Sequence, residues 1–156
     1  MTYSILELAT QRPFIPEIDL SQISFPAHGA GNLAEIEEKH FWFTERRKLV
    51  LELLKERVQP GSIGVDVGCG TGFTSVWMTE AGYPTIGVDA MPGFSHYQKS
   101  GRGFGFLQAD LLKWDLKPEF DFLLLLDTLE HIEHDRAFLH HVCGLLKPGG
   151  TAILSV

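Results

Sequence analysis

Four carboxylates sit in or just after short apolar runs: Asp66 within 63–67, Asp89 after 85–88, Asp110 after 105–108 and Asp127 after 120–126. Beside the first lies a glycine cluster, Gly68-Cys69-Gly70-Thr71-Gly72. Glycines at alternate positions let a backbone turn sharply and let a ligand approach closely. One carboxylate can accept hydrogen bonds from two adjacent sugar hydroxyls, and another can accept from the exocyclic amine of a purine. Asp89 is placed for the first task and Asp110 for the second. A single acid after a strand is readily explained as a helix cap. Four of them beside a glycine loop point instead to a nucleoside-containing ligand at the carboxyl ends of strands.

The elements that would carry these residues alternate. Strands are expected over 63–67, 85–88, 105–108, 120–126 and 151–156, and helices over about 72–81 and 135–146. Near-continuous apolar strands between helices imply a parallel sheet covered on both faces. Phe73, Val76, Trp77 and Ala81 fall on one face of the first of these helices. Lys147-Pro148-Gly149-Gly150 reads as the turn that closes the second. The stretch 91–102 is glycine-rich and has no clear period. Upstream, residues 33–58 read as a long helix with Leu33, Ile36, Leu49, Leu53 and Leu54 on its buried face. The cluster His40-Phe41-Trp42-Phe43 is placed to break that helix in two, with its aromatic rings packed on the domain. Arg46, Arg47 and Lys48 read as a solvated helix face. Residues 1–32 read as an irregular arm packed on the domain or on a partner. The division is thus an arm (1–32), a helical segment or lid (33–59) and an α/β domain (60–156).

With 156 residues and 44% apolar content, the chain can build one real core. Its formal charge of -7 leaves no broad basic surplus for a polyphosphate backbone, which argues against nucleic acid as a partner. Two cysteines, Cys69 and Cys143, make no disulfide framework and fit a reducing, cytoplasmic compartment. Cys69 reads as a small loop residue, not a nucleophile. The longest apolar run, 122–126, is too short to cross a bilayer.

The glycine spacing separates two cofactor classes. A dinucleotide fingerprint runs G-x-G-x-x-G, but here the third glycine, Gly72, comes one place early and bulky Phe73 follows. Carboxylates around the loop would repel a pyrophosphate and suit a cationic cofactor.

On these residues the chain resembles a class I S-adenosylmethionine-dependent methyltransferase of the small-molecule type 11 or type 12 group. The segments that carry the resemblance are Val65 to Gly72, Gly87-Val88-Asp89-Ala90, Gln108-Ala109-Asp110-Leu111, Phe120-Asp121 to Asp127, Leu129-Glu130-His131-Ile132 and Leu145 to Gly150. The resemblance implies an α/β, Rossmann-like, doubly wound sheet of order 3-2-1-4-5. The strand 6/7 pair is absent from this sequence, so the chain is expected to be truncated after strand 5. The open edge of strand 5 is then expected to meet a partner or a second copy.

The resemblance also implies roles. Asp66, Gly68, Cys69, Gly70 and Gly72 would receive the methionine part of the cofactor, and Asp89 the ribose. Ala90 and Met91 would flank the adenine, and Asp110 and Leu111 would meet its edge. Asp127 and Thr128 would lie beside the sulfonium. The run Glu38-x-His40-Phe41-Trp42-Phe43-x-x-Arg46-Arg47 resembles a segment expected to cover the pocket, with an arginine, Arg46, for a carboxylate. A base is needed only if the acceptor must lose a proton, and His131 and His134 are the candidates. The run 130–135 reads as a polar helix start capped by Asp135, with no metal. The function implied is methyl transfer from S-adenosylmethionine, giving S-adenosylhomocysteine, to a small-molecule acceptor. The alternatives are a truncated module that binds the cofactor without catalysis and, less well matched, a nicotinamide-dependent dehydrogenase.

Overall fold

The computed structural model describes residues 4–11, 36–91, 93, 97 and 101–156. Most of the predicted arm, Leu33 and most of the 91–102 stretch lie outside the described residues. Five parallel strands form one sheet: β1 (Gly64–Val67), β2 (Thr85–Asp89), β3 (Gly105–Gln108), β4 (Phe120–Leu126) and β5 (Leu146–Ser155), in the order β3-β2-β1-β4-β5. The chain therefore reverses its direction of travel across the sheet between β1 and β4, the place where open α/β sheets leave a crevice.

The period-2 alternation of strand side chains sorts the core into two layers. Val65, Val67, Ile86, Val88, Leu123 and Leu125 face one side, where they meet Phe138 and Val142 of α4 (Asp135–Val142). A short helix, α1 (Ile5–Gln11), joins this layer through Ile5, which is fully buried, while its Leu6 amide donates to Glu119 Oε2 at 3.3 Å. Residues 5–11 of the predicted irregular arm are thus helical. On the opposite side Phe122, Leu124, Leu126 and Ile153 pack on Val50, Leu54 and Val58 of the α2 region (α2, Phe41–Arg57), together with Met78 of α3 (Phe73–Glu80) and Tyr83. Gly64 and Gly87 belong to this second face. Large rings fill the space their side chains would need, Phe122 at 2.0 Å and Phe106 at 2.7 Å from the would-be Cβ atoms.

Three local expectations are corrected. On α2 the buried residues are Arg47, Val50 and Leu54, at i, i+3 and i+7; of the expected face Leu54 is buried, whereas Leu49 and Leu53, and Ile36 ahead of the helix, are exposed. The stripe is rotated because Phe122 and Leu124 are met by Val50 and Leu54. Phe41 and Trp42 are also exposed, at 72% and 54%, and do not pack on the domain. Finally, residues 147–150 lie within β5 and do not precede it. Phe120 pairs with Leu146 and Phe122 with Thr151, so the intervening residues form an irregularity opposite Asp121, with Gly149 at φ 81°. The preceding helix gives way to a 3₁₀ turn (Cys143–Leu145). Helix α2 does start after the predicted break, with His40 as its N-cap and His40 Nδ1 accepting from the Trp42 amide at 3.3 Å.

The rotated stripe has a direct test. Leu54→Ala should cost about 2–5 kcal/mol in urea unfolding, whereas Leu49→Ala should stay within about 0.5 kcal/mol of the parent. Equal losses at the two positions would contradict the packing of α2.

Candidate functional site

Above the carboxyl ends of β1, β2 and β4 lies a cavity of about 700 Å³. Its floor is the loop after β1. Gly68, Gly70 and Gly72 all take left-handed φ values (77°, 56° and 81°). At Gly68 a Cβ would lie 2.3 Å from Thr128 Oγ1, so the loop can lie against the β4 terminus only because this residue has no side chain. At Gly70 a Cβ would meet nothing within 4 Å. That backbone is bare on the open side, as close approach by a ligand requires.

Of the residues singled out from sequence, Arg46, Asp66, Gly68, Cys69, Gly70, Asp89, Ala90, Met91, Asp110, Leu111, Asp127, Thr128, His131 and His134 all line this one cavity. Gly72 does not. It caps α3 and packs against Phe106, whose ring lies 2.3 Å from where a Cβ would stand. Asp89, at the tip of β2, is fixed from two sides: the Gly70 amide donates to its Oδ2 at 2.8 Å and the Met91 amide to its Oδ1 at 2.7 Å. Burial pushes its carboxyl above the usual range, and these amides pull it back in part. Asp66 is buried at the floor, where Ser75 Oγ donates to its Oδ2 at 2.7 Å. Desolvation dominates there and raises its pKa to about 6. The Cys69 thiol is pushed up by burial, consistent with a packing role.

Asp127 has a left-handed backbone (φ 51°), a conformation aspartate tolerates better than most residues. Ser155 Oγ at the end of β5 donates to its Oδ1 at 2.7 Å, and Arg46 of α2 is ion-paired with its Oδ2. Among the described residues Arg46 Nε is buried without a partner. Asp110 caps the turn Leu111–Lys113, accepting from the Leu112 amide at 3.2 Å, and Lys113 lies 3.3 Å away. The capping reading therefore holds for Asp110 as well as its place on the cavity wall. At the start of α4 the cap residue is His134, not Asp135, and it makes no side-chain cap bond. Among the described residues no three His, Cys, Asp or Glu side chains are grouped to hold a metal ion.

Among the wall residues that were not sequence candidates, Glu37 is the notable one. Glu37, in the helical turn 36–39, accepts a hydrogen bond from Thr71 Oγ1 in the middle of the glycine loop. In the sequence it is one of two adjacent glutamates next to a lysine, a pattern indistinguishable from a solvated surface. Phe43, last in the aromatic cluster expected to cover the pocket, reaches the wall while Phe41 and Trp42 do not. Arg47 also departs from the reading of a solvated face. It is 5% exposed, with its guanidinium 4.0 Å over the Phe73 ring and Tyr97 stacked on that same ring at 5.7 Å. Tyr97 OH in turn donates to Glu38 Oε1 at 3.1 Å.

A parallel sheet in this order, with a glycine loop after the first strand and an acid at the tip of the second, is the class I S-adenosylmethionine-dependent methyltransferase fold. The methyltransferase-domain family, type 11, matches residues 65–154, and the chain belongs to it. A ubiquinone biosynthesis O-methyltransferase of Bradyrhizobium sp. (strain ORS 278) is 30% identical over 98 residues, covering 58% of this chain and 38% of that protein. Its counterpart in Methylococcus capsulatus is 30% identical over 102 residues, covering 61% and 43%. The chain thus spans about two fifths of the length of these curated relatives. Among solved structures, the N-methyltransferase NodS from Bradyrhizobium japonicum WM9, in complex with S-adenosyl-L-homocysteine, superposes with a TM-score of 0.64 at 20% identity over 76% of this chain and 63% of that one. A protein from Methanococcus maripaludis described as an S-adenosyl-L-methionine-dependent methyltransferase reaches 0.71 at 15% identity over 89% and 67%. No helix among the described residues is long and apolar enough to cross a membrane.

Asp66 yields a prediction with a defined sign. Its folded pKa of about 6 exceeds the ordinary 3.8, so the native state holds the proton more tightly than the unfolded chain. Its contribution to stability is complete below about pH 4 and is lost as pH rises through about 6. Asp66→Asn keeps the Ser75 bond and removes the buried charge. It should therefore raise unfolding stability at pH 8 by up to about 3 kcal/mol, a gain that fades through pH 6 and is gone below about pH 4. A pH-independent gain or a loss at pH 8, read from urea midpoints, would contradict this account.

Proposed function

We propose that this chain transfers a methyl group from S-adenosylmethionine to a small-molecule acceptor. The observation that carries the reading is the single cavity in which the bare backbone of Gly70, the fixed carboxylate of Asp89 and the Arg46–Asp127 pair face the same space. The donor set fits the cofactor. Arg46 Nε is a buried donor with no partner, suited to a carboxylate, and Asp66 supplies negative charge at the floor.

When bound, S-adenosylmethionine supplies an activated sulfonium methyl, so the protein's work is alignment, water exclusion and charge matching. The loop from Asp66 to Gly70 holds the methionine part through its backbone. Asp89, oriented by the Gly70 and Met91 amides, presents its remaining lone pairs to the ribose hydroxyls. Ala90, Met91, Asp110 and Leu111 border the adenine. Asp127 and Thr128 set the wall beside the reacting methyl, where donor and acceptor are held in line. The curated relatives are O-methyltransferases, which favours an oxygen acceptor. His131 and His134 line the same cavity and are the side chains there suited to take the acceptor's proton.

Calorimetric titration of the chain with S-adenosylhomocysteine should show saturable binding. Asp89→Ala should weaken it by about 1.5–3 kcal/mol, the worth of a charge-assisted hydrogen bond, and Gly70→Val should abolish it. Unchanged affinity in both variants, or preference for a nicotinamide dinucleotide, would overturn the reading. Incubation with S-adenosylmethionine and a panel of oxygen acceptors should accumulate S-adenosylhomocysteine. Binding without turnover on any acceptor would favour the non-catalytic alternative.

A further inference from the structure

Six acids line the cavity, Glu37, Asp66, Asp89, Asp110, Asp127 and Glu133, and three of them have an evident charged or backbone partner. Asp127 pairs with Arg46, Asp110 with Lys113, and Asp89 takes two backbone amides. Glu37 and Asp66 differ. Among the described residues neither forms an ion pair, and the one hydrogen bond each accepts comes from a neutral hydroxyl, Thr71 for Glu37 and Ser75 for Asp66. Both carboxylates adjoin the glycine loop, Asp66 from β1, which leads into it, and Glu37 from the turn 36–39 through Thr71. Burial raises both carboxyls; Arg46 favours ionisation of each without pairing with either, Arg47 favours that of Glu37, and the charge of Glu37 adds to the rise at Asp66. On the same wall Arg46 Nε is buried without a partner. This end of the cavity therefore offers two carboxylates with no ion pair among the described residues, next to an Arg46 Nε–H that has no acceptor there although the guanidinium is paired with Asp127. An α-amino acid zwitterion carries an ammonium for the carboxylates and a carboxylate oxygen for the Nε–H.

We infer that Glu37 is a binding residue for the α-ammonium of the cofactor's amino-acid tail, acting with Asp66. This inference rests on the functional reading above. It extends that reading to a residue outside the 65–154 family match, on an element that reaches the loop from the N-terminal side. The Thr71 hydroxyl orients the carboxylate, so the ligand's ammonium also ties the turn 36–39 to the glycine loop. Specificity for an intact amino-acid tail then belongs to the N-terminal segment and not to the sheet alone.

The test compares two probes on the purified chain: S-adenosylhomocysteine, which carries the zwitterion, and 5′-methylthioadenosine, which lacks it. Glu37→Gln keeps the acceptor for Thr71 and removes only the charge. It should weaken S-adenosylhomocysteine binding about 10- to 100-fold, the range for a charge-assisted hydrogen bond, and leave methylthioadenosine binding unchanged. Equal loss for both probes, or no loss for either, overturns the role of Glu37 while leaving the cofactor assignment standing. If the parent chain binds neither probe, the functional reading itself fails and this inference with it.

Discussion

Thr128 fills the space that a side chain at Gly68 would need, and its Oγ1 donates to the carbonyls of Leu126 at 3.1 Å and Val67 at 3.3 Å. This contact stitches the end of β1 to the end of β4 across the position where the chain changes its direction of travel. Because the two strand ends are drawn together, the glycine loop must rise and turn back above them, and left-handed backbone at Gly68 and Gly70 allows it. The Gly70 amide then comes within hydrogen-bonding distance of Asp89 on the neighbouring strand. The cavity floor thus follows from one steric demand: the residue after β1 must have no Cβ. The apolar strands fix the sheet, but this contact fixes what sits above it.

The electrostatics pull against that packing. Asp66, Asp89 and Glu37 all have carboxyls raised by burial, which means each costs the folded state something at neutral pH. A core built for stability alone would place an apolar residue at position 66, as it does at Val65 and Val67. Stored unfavourable charge around a space large enough for a ligand is the usual mark of a site whose missing partner is a cation. Asp127 shows the opposite arrangement. It is held by Ser155 and Arg46, so its geometry is set before any ligand arrives, at the cost of a left-handed backbone.

Much of this was legible in the residues. Strands β3 and β4 fall at the predicted bounds and β1 and β2 within a residue, because short apolar runs bounded by glycine, proline or aspartate leave little choice of ends. The strand tips carried their acids openly, and thirteen of the fourteen candidates lining the cavity share it because a parallel sheet delivers every strand's carboxyl end to one side. Periodicity failed on α2. Its apolar residues are numerous enough to support two faces, and only the neighbouring strands decide that Val50 and Leu54 face inward while Leu49 and Leu53 do not. Glu37 was invisible because its significance lies in contact with Thr71, 34 positions away. Arg47 was misread because a basic triplet looks solvated, and burial of a guanidinium depends on an aromatic ring supplied by another helix.

That ring has a consequence for how the site is assembled. Phe73 is the first residue of α3 and so moves with the glycine loop that precedes it. One side of its ring carries Arg47 of α2, and it also stacks with Tyr97, which hydrogen-bonds to Glu38. Planar guanidinium stacking on an aromatic face persists where an ammonium would be too strongly hydrated to bury. The N-terminal helical segment is therefore coupled to the loop through a cation–π contact and through Glu37–Thr71, two links of different physical kind. Residues of the helical segment, Glu37, Phe43 and Arg46, and of the α/β domain thus line one cavity.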